Sequence, residues 1–563
     1  MIVLAVGCRG PMPGTLSISP QVAAVAPGQT LRFTVTGAKS VTWSAIGGMI
    51  DPDGDFDSPS GTYSMTATVM ATSKEDPTKS ASASVNIVVP GQVTPTANAQ
   101  VALYTISPAS AAKVFVQYGL DINYGLTTWT QAAPSGGGPV NLFVAGMKAS
   151  ALYHIRGVVL FSDGSQFFDA DQTFPTGAIP AAQLPTITAT TTAGMVPQSG
   201  VELLDLTSAA AFSVVATDLN GDVIWTYSPT LSGDVPNPVK LLPNGHFLIN
   251  FSSNSGDGLN SVLQEVDLSG ALIWQMTAAE LNNALAVATC PGCNVSVIGT
   301  HHDFVQLPNG HLIVIAALQR VISGTTVTGD VIIDLDENRK PVWLWNEFDH
   351  LDVTRQPMGF PDWTHTNAIL YSADDGNLIV SMRHQNWIVK VDYANGKGAG
   401  DILWKLGYQG DFALLGGTEP SDWFYAQHGP SFVSKNTTGK FSMVLFDNGN
   451  DRVFPPGVTC GAAGAPPCLY STVPLLQVDE AAKIATLTFH PLAPTYSIFG
   501  GNAAVLKNGN VEYCESAGGP GTAGDIYEVT QDSNAQTVWK MQITGQYAYR
   551  GQRIPSLYPG VQW

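Results

Sequence analysis

The sequence predicts an all-β protein in which a six-bladed β-propeller follows two small β-sandwich domains. Three observations predict it. Charged residues are only 12% of the 563, while glycine and proline number 57 and 37, the composition of a turn-rich chain with little helix. Two early segments carry strand-length alternating runs between turn residues. From about residue 180 two hairpin patterns alternate to the C-terminus.

Residues 1–13 open with MIVLAVGC, which resembles the end of a bacterial lipoprotein signal and makes Cys8 the expected point of a lipid anchor; a frayed terminus is the alternative. Residues 14–92 contain TLRFTVTG, VTWSA, GTYSMTATVMATS and SASASVNIVV, and read as a β-sandwich similar to bacterial immunoglobulin-like surface domains. Its loop DPDGDFD, with Asp51, Asp53, Asp55 and Asp57, reads either as a Ca²⁺ loop or as a solvated turn. Residues 93–180 read as a second sandwich, fibronectin-like in its strand spacing.

Residues 181–563 hold the repeats. In one pattern a turn glycine precedes an apolar strand, at Gly245, Gly310, Gly376, Gly439 and Gly509. In the other an aspartate precedes a strand ending in tryptophan seven residues on: Asp218 and Trp225, Asp267 and Trp274, Asp336 and Trp343, Asp532 and Trp539. Asp392 with Trp404 carries an insertion, and Asp479 with Leu487 is a degenerate copy, which makes six. Two hairpins per repeat are four strands, one propeller blade. The first glycine hairpin is replaced by SGVELLDL, and the tail YRGQRIPSLYPG is expected to close the ring.

A net charge of −19 with only 25 Lys and Arg excludes nucleic acid and an anionic membrane surface as partners, since both need clustered cations. Cys290 with Cys293 and Cys460 with Cys468 read as local loop staples, which leaves Cys514 alone. A redox CPGC motif and a zinc knuckle are the alternatives. The balance points to an oxidising compartment, periplasmic or extracellular.

THHDFVQL, THTNAILY and QHGPSFV align by hydrophobic pattern and by distance to the turn, so His301, His365 and His428 share one level on the channel-facing strands. Asn367 lies two residues beyond His365, on the same face, and Arg383 ends the same hairpin. His302 and His384 point the opposite way if the strands are regular, and a bulge would exchange them. The repeat alignment favours His301. His154, His246, His311, His350 and His490 read as surface or packing residues. Histidines, an amide and an arginine suit transfer of a sulfuryl or phosphoryl group: arginine forks onto tetrahedral oxyanions, His⁺ and Asn add donors, and a neutral histidine can be the nucleophile.

The stretches THHDFVQLPNG, THTNAILY with GNLIVSMRHQNWIVKVD, AQHGPSF with LFDNGNDR, and AYRGQRIPSLYP resemble the bacterial arylsulfate sulfotransferases that do not use PAPS. The resemblance implies a propeller exported beyond the inner membrane that moves a sulfuryl group from a phenolic sulfate ester to another phenol in a ping-pong reaction. It implies His428 as the transiently sulfated residue, His365, Asn367 and Arg383 as the sulfate holders, and His301 or His302 as a further active histidine. It also implies a disulfide near the nucleophile, which Cys460 and Cys468 could supply, and no metal or nucleotide cofactor. Trp423, Phe424 and Tyr425 are candidates to clamp an aromatic ring, packing being the alternative. Two other readings stay open, a His-ligated metallohydrolase and a non-catalytic binding propeller. The oligomeric state is open too, a homodimer included.

Overall fold

The computed structural model describes residues 15–206, 212–229, 235–253, 258–433, 437–461, 467–516 and 524–563. The lipoprotein reading of residues 1–13, with Cys8, lies outside them. The protein is all-β, and among the described residues no helix is long and apolar enough to cross a membrane. It divides into two compact units, Met1–Ala178 and Ile179–Trp563.

Within the first unit, Val22–Val25, Met65–Ser73, Ser80–Ile87 and Val41–Ile46 form one sheet, and their inward residues bury Phe33, Phe56, Val69 and Val85. Further along, Ala112–Gly119 and Leu152–Phe161 centre a second set of strands whose inward residues include Val114, Val116 and Ile155. The acidic loop satisfies itself: Asp51 Oδ1 accepts from the backbone N–H groups of Asp53 and Asp55, and Arg32 pairs with Asp55 at 2.7 Å. These bonds are those of a solvated turn.

Among the described residues the second unit holds six successive sheets, here I to VI, antiparallel except where Ala413–Leu415 pairs in parallel with Ile484–Phe489. Sheets II, III and IV run in chain order, starting from Val235–Leu241, Gly299–Gln306 and Thr366–Ser372. Sheet V starts from His428–Phe432 and VI from Asn502–Val505; each takes an extra strand at its far edge, Ala413–Leu415 and Thr186–Thr191 respectively. Sheet I differs. Its chain-order strands Val201–Leu206, Val214–Thr217 and Val223–Tyr227 are completed by the C-terminal strand Ala548–Ile554, which takes the first position. The first strands neighbour one another in a cycle, II to III to IV to V to VI to the C-terminal strand and back to II. They line a cavity of about 210 Å³ whose polar lining includes Asp205, Lys240, Asp303, Asn502, Arg550 and Gln552.

The two hairpin repeats explain how neighbouring sheets join. The repeated tryptophan stands on the fourth strand, and in three copies its indole N–H reaches a turn carbonyl of the next sheet, whereas the buried Trp404 indole N–H has no partner among the described residues. Trp225 donates to Leu268 O at 2.8 Å (I to II), Trp343 to Gly398 O at 3.2 Å (III to IV) and Trp539 to Leu219 O at 2.8 Å (VI to I). Each such bond contributes about 1 kcal/mol beside the larger gain from ring burial. In the degenerate copy Leu487 packs with Trp404, Phe412 and Phe441 between sheets IV and V.

Cys290–Cys293 and Cys460–Cys468 are disulfides and Cys514 is a buried thiol. With all four sulfurs paired, a zinc knuckle built from them does not form. CPGC follows the helix Ala278–Ala286 instead of opening one, unlike a redox motif.

Candidate active site

The first strands of sheets III, IV and V all lose regular pairing at the level of the sequence-predicted residues. In sheet III, Thr300 pairs with Ala316 and Phe304 with Val314, so His301, His302 and Asp303 together face Ile315. In sheet IV Asn367 is the extra residue between the Thr366 and Ala368 pairs. In sheet V Gly429 and Pro430 oppose Leu445. Bulges re-aim side chains, and these aim the site. Gly429 has φ +49°, and a Cβ there would come within 2.5 Å of the Asn502 Cα, so only glycine can follow His428.

The bulge reverses the expected order of the histidine pair. His302, at φ +57°, turns its ring to His365 (centroids 4.7 Å apart) and Tyr549 (5.8 Å), whereas His301 points back to Asp330 at 2.9 Å. His302 therefore faces the centre and His301 stands behind it. His384 is a second correction. The strand ends at Met382 and Arg383–Gln385 forms a 3-10 turn, so strand alternation does not govern its direction. Its ring stacks on His365 at 4.5 Å and its Nε2 accepts from Arg383 Nη1 at 2.5 Å.

His428 is 1% exposed and its two nitrogens are distinguished. Asn448 donates its amide N–H groups to Ser497 O (2.9 Å) and Gly500 O (3.1 Å), so its oxygen faces His428 and accepts from Nδ1 at 2.6 Å. On the other side the Gly500 N–H points to Nε2 at 3.3 Å. The proton is on Nδ1 and the lone pair on Nε2. Tyr549 lies edge-on to His428, ring centroids 6.1 Å apart.

His365 gives Nδ1–H to Asp362 Oδ2 at 2.6 Å. Arg383, partly buried, also reaches Ile498 O at 3.1 Å and keeps a buried Nε without a hydrogen bond; Tyr549 Oη and Asn367 Oδ1 lack one as well. Buried polar atoms left without a partner are what a polar ligand would satisfy. Asn367 itself is partly diverted: its amide donates to Gln427 O at 2.7 Å, tying sheet IV to sheet V. Arg550, from the C-terminal strand, holds the Asn367 carbonyl at 2.7 Å and approaches Asp303 at 3.4 Å.

His302, His384 and His428 are held neutral rather than as the cationic donors expected. Burial, then repulsion from His365, His301, His428 and Arg550, holds the His302 pKa well below its ordinary value; burial and the Arg383 charge do the same for His428. Burial and the neighbouring His365 push His384 down to about 3. Trp423, Phe424 and Tyr425 are not a clamp. They are 2%, 1% and 1% exposed, in the core between sheets IV and V. The five histidines read as surface or packing residues are engaged locally, as with His311 on Asp334 and His350 against Trp345.

The sequence reading missed Tyr549, Arg550, Asn448, Asp330 and Asp362. Tyr549 and Arg550 had a signal, because the tail expected to close the ring occupies the first-strand position of sheet I. The other three lie off the aligned strand starts, where no repeat position marks them.

Fold and geometry together define an all-β protein in which histidines and a partly buried arginine converge from successive sheets. The arylsulfotransferase (ASST) family model matches residues 183–550, and the chain belongs to that family. Membership supports arylsulfate sulfotransferase activity, with an aryl sulfate donor and a phenol acceptor as its small molecules. No curated protein matches the sequence. Among solved structures, two mutant forms of the Synechocystis apocarotenoid oxygenase match at 10% identity, over 83% of this chain and 95% of theirs, with TM-scores of 0.28 and 0.30. The SGBP-B protein of the Bacteroides ovatus mixed-linkage glucan utilization locus matches at 14% identity, over 47% of this chain and 70% of its own, with a TM-score of 0.11. Likeness at that level carries nothing about this chain.

Proposed function

We propose that the six sheets are the blades of a β-propeller behind two sandwich domains, residues 14–92 and 93–180. The protein then transfers a sulfuryl group from a phenolic sulfate ester to a phenol, without PAPS, through a sulfated His428. The observation that carries this reading is the unprotonated Nε2 of His428, fixed by the Asn448 bond to Nδ1 beside Arg383; its lone pair accepts only the Gly500 N–H at 3.3 Å, a long bond that an incoming sulfur displaces. A histidine becomes a nucleophile when its lone pair is aimed and unprotonated.

In the first step the donor sulfate lies against Arg383 and His365, and His428 Nε2 attacks sulfur. The N–S bond forms, the S–O bond to the aryl group breaks, and phenolate leaves. In the second step an acceptor phenol gives its proton to His302 Nε2 while its oxygen attacks sulfur; the S–N bond breaks and the His428 lone pair returns. Arg383 neutralises the sulfuryl oxygens in both transition states. Phe499 and Tyr547, each 36% exposed with rings 6.4 Å apart, are the aromatic surface proposed for the aryl group; Gly500, which follows Phe499, faces His428. The two disulfides support an oxidising location, the periplasm or the exterior.

One observation favours the metallohydrolase: Asp362, His365 and His384 offer ligand atoms within 4.8 Å of one another. The hydrogen bonds oppose it. His384 Nδ1 donates to Asp362 O at 2.6 Å and its Nε2 is taken by Arg383, so neither nitrogen of that ring has a lone pair to spare.

The purified protein, mixed with p-nitrophenyl sulfate, is expected to release a stoichiometric burst of nitrophenolate and to turn over only when phenol is added. Phenol-independent turnover together with a stoichiometric metal ion would replace this reading by the hydrolase, and no release at all by a binding module. Asn448→Ala frees the His428 ring to take either tautomer, and is expected to slow the burst about 100-fold.

A further inference from the structure

His301 and Asp330 do not enter the two steps above, yet both are buried, at 1% and 2% exposure, directly behind His302. Asp330 stands on Thr325–Leu335, the third strand of sheet III. One carboxylate oxygen takes His301 Nε2 at 2.9 Å; the other accepts from Thr364 Oγ1 at 2.9 Å and the Thr366 N–H at 2.6 Å. His301 Nδ1 meets His302 Nδ1 at 2.6 Å.

These contacts determine the tautomers. A carboxylate only accepts, so His301 carries its proton on Nε2 and presents a lone pair at Nδ1. The facing His302 Nδ1 must then be the donor, which leaves His302 Nε2 bare on the side of His365 and Tyr549. In this chain Asp330 only accepts, His301 uses both its donor and its acceptor, and His302 spends its donor alone. Nearby Glu347 adds no second charge: burial and the adjacent Asp330 push its pKa well above the carboxylate range, and it accepts from Thr366 Oγ1 at 2.5 Å.

We propose that His301 and Asp330 are positioning residues that make His302 the proton acceptor for the incoming phenol. They fix its tautomer, aim its Nε2, and set a negative charge two hydrogen bonds behind the imidazolium that forms. The proton from the phenol oxygen goes to His302 Nε2; none needs to leave the chain behind it. On the next turnover the same proton can return to the departing phenolate. The inference rests on the sulfuryl-transfer reading and sorts the site by half-reaction: His428 and Arg383 act on the sulfuryl group in both, and the buried chain behind His302 acts on the incoming acceptor.

Asp330→Asn replaces an acceptor by an amide that can donate to His301 Nε2. That reverses both tautomers and puts a proton on the nitrogen that should be bare. With 4-methylumbelliferyl sulfate as donor, turnover with phenol as acceptor is expected to fall about 100-fold while the burst of the first half-reaction falls less than about threefold. The deficit is expected to shrink as the acceptor becomes more acidic, and to be nearly gone for pentafluorophenol, which arrives ionised and needs no base. Equal loss in both half-reactions, or a loss indifferent to acceptor acidity, would overturn the proposal. If Asp330→Asn does not fold, His301→Ala, which removes the acceptor that holds the His302 proton on Nδ1, carries the same test. Absence of a burst in the unsubstituted protein would instead strike at the sulfuryl-transfer reading itself.

Discussion

His428→Ala is expected to show no nitrophenolate burst and to lose at least about 10⁴-fold in phenol-dependent turnover, because both steps pass through a bond to Nε2. A loss of that size corresponds to about 5.5 kcal/mol of transition-state stabilisation. It is too large for a binding contact alone. The check is twofold: stopped-flow nitrophenolate release, and intact mass after mixing with donor in the absence of acceptor. The unsubstituted protein should gain one sulfuryl group, and the alanine protein none. The side chain is buried and Asn448 would be left with an unmet acceptor, so a modest fall in stability, about 1–3 kcal/mol, is expected as well. Retained turnover in a folded alanine protein would remove His428 from the nucleophile role.

Arg383→Lys is the second large effect. The guanidinium spans His384 Nε2 and the Ile498 carbonyl while its buried Nε is unspent, so a planar fork is held in place before any sulfate arrives. A lysine ammonium keeps the charge but not the fork, and its shorter reach cannot serve both anchors. Turnover is expected to fall about 100- to 1000-fold, the cost of losing one aimed donor to a developing oxyanion. Because Arg383 acts on the sulfuryl oxygens in both half-reactions, burst and steady state should fall together. That pattern separates it from Asp330→Asn, which spares the burst. A lysine protein with normal kinetics would mean that charge alone is needed.

Much of the fold was legible because it is written in repeats. Turn glycines and aspartate–tryptophan pairs recur at set spacing, and the tryptophans proved to join one sheet to the next. His365 and His428 stood out for the same reason, as unusual residues at equivalent strand positions, and Arg383 as the residue that ends the His365 hairpin. What alternation misjudged was direction. A register shift between Thr300 and Phe304 exchanges His301 and His302, and a 3-10 turn brings His384 round beside His365. Both depend on local backbone that a period of two cannot express. Asn448 and Asp330 were invisible for another reason: each is an ordinary polar residue until a distant segment arrives to give it a partner. Trp423, Phe424 and Tyr425 erred the other way, their aromatic character serving the core rather than a ligand.

The C-terminal strand Ala548–Ile554 completes sheet I and brings Tyr549 and Arg550 to the histidines. Residues 548–554 therefore furnish a wall of the candidate site whose other walls come from sheets III, IV and V. A chain cut before residue 548 could fold five sheets and still lack the surface against which His302 and His428 are set. Reactivity toward sulfate esters is then expected only with that strand in place, and a chain nicked ahead of it is expected to be silent rather than indiscriminate.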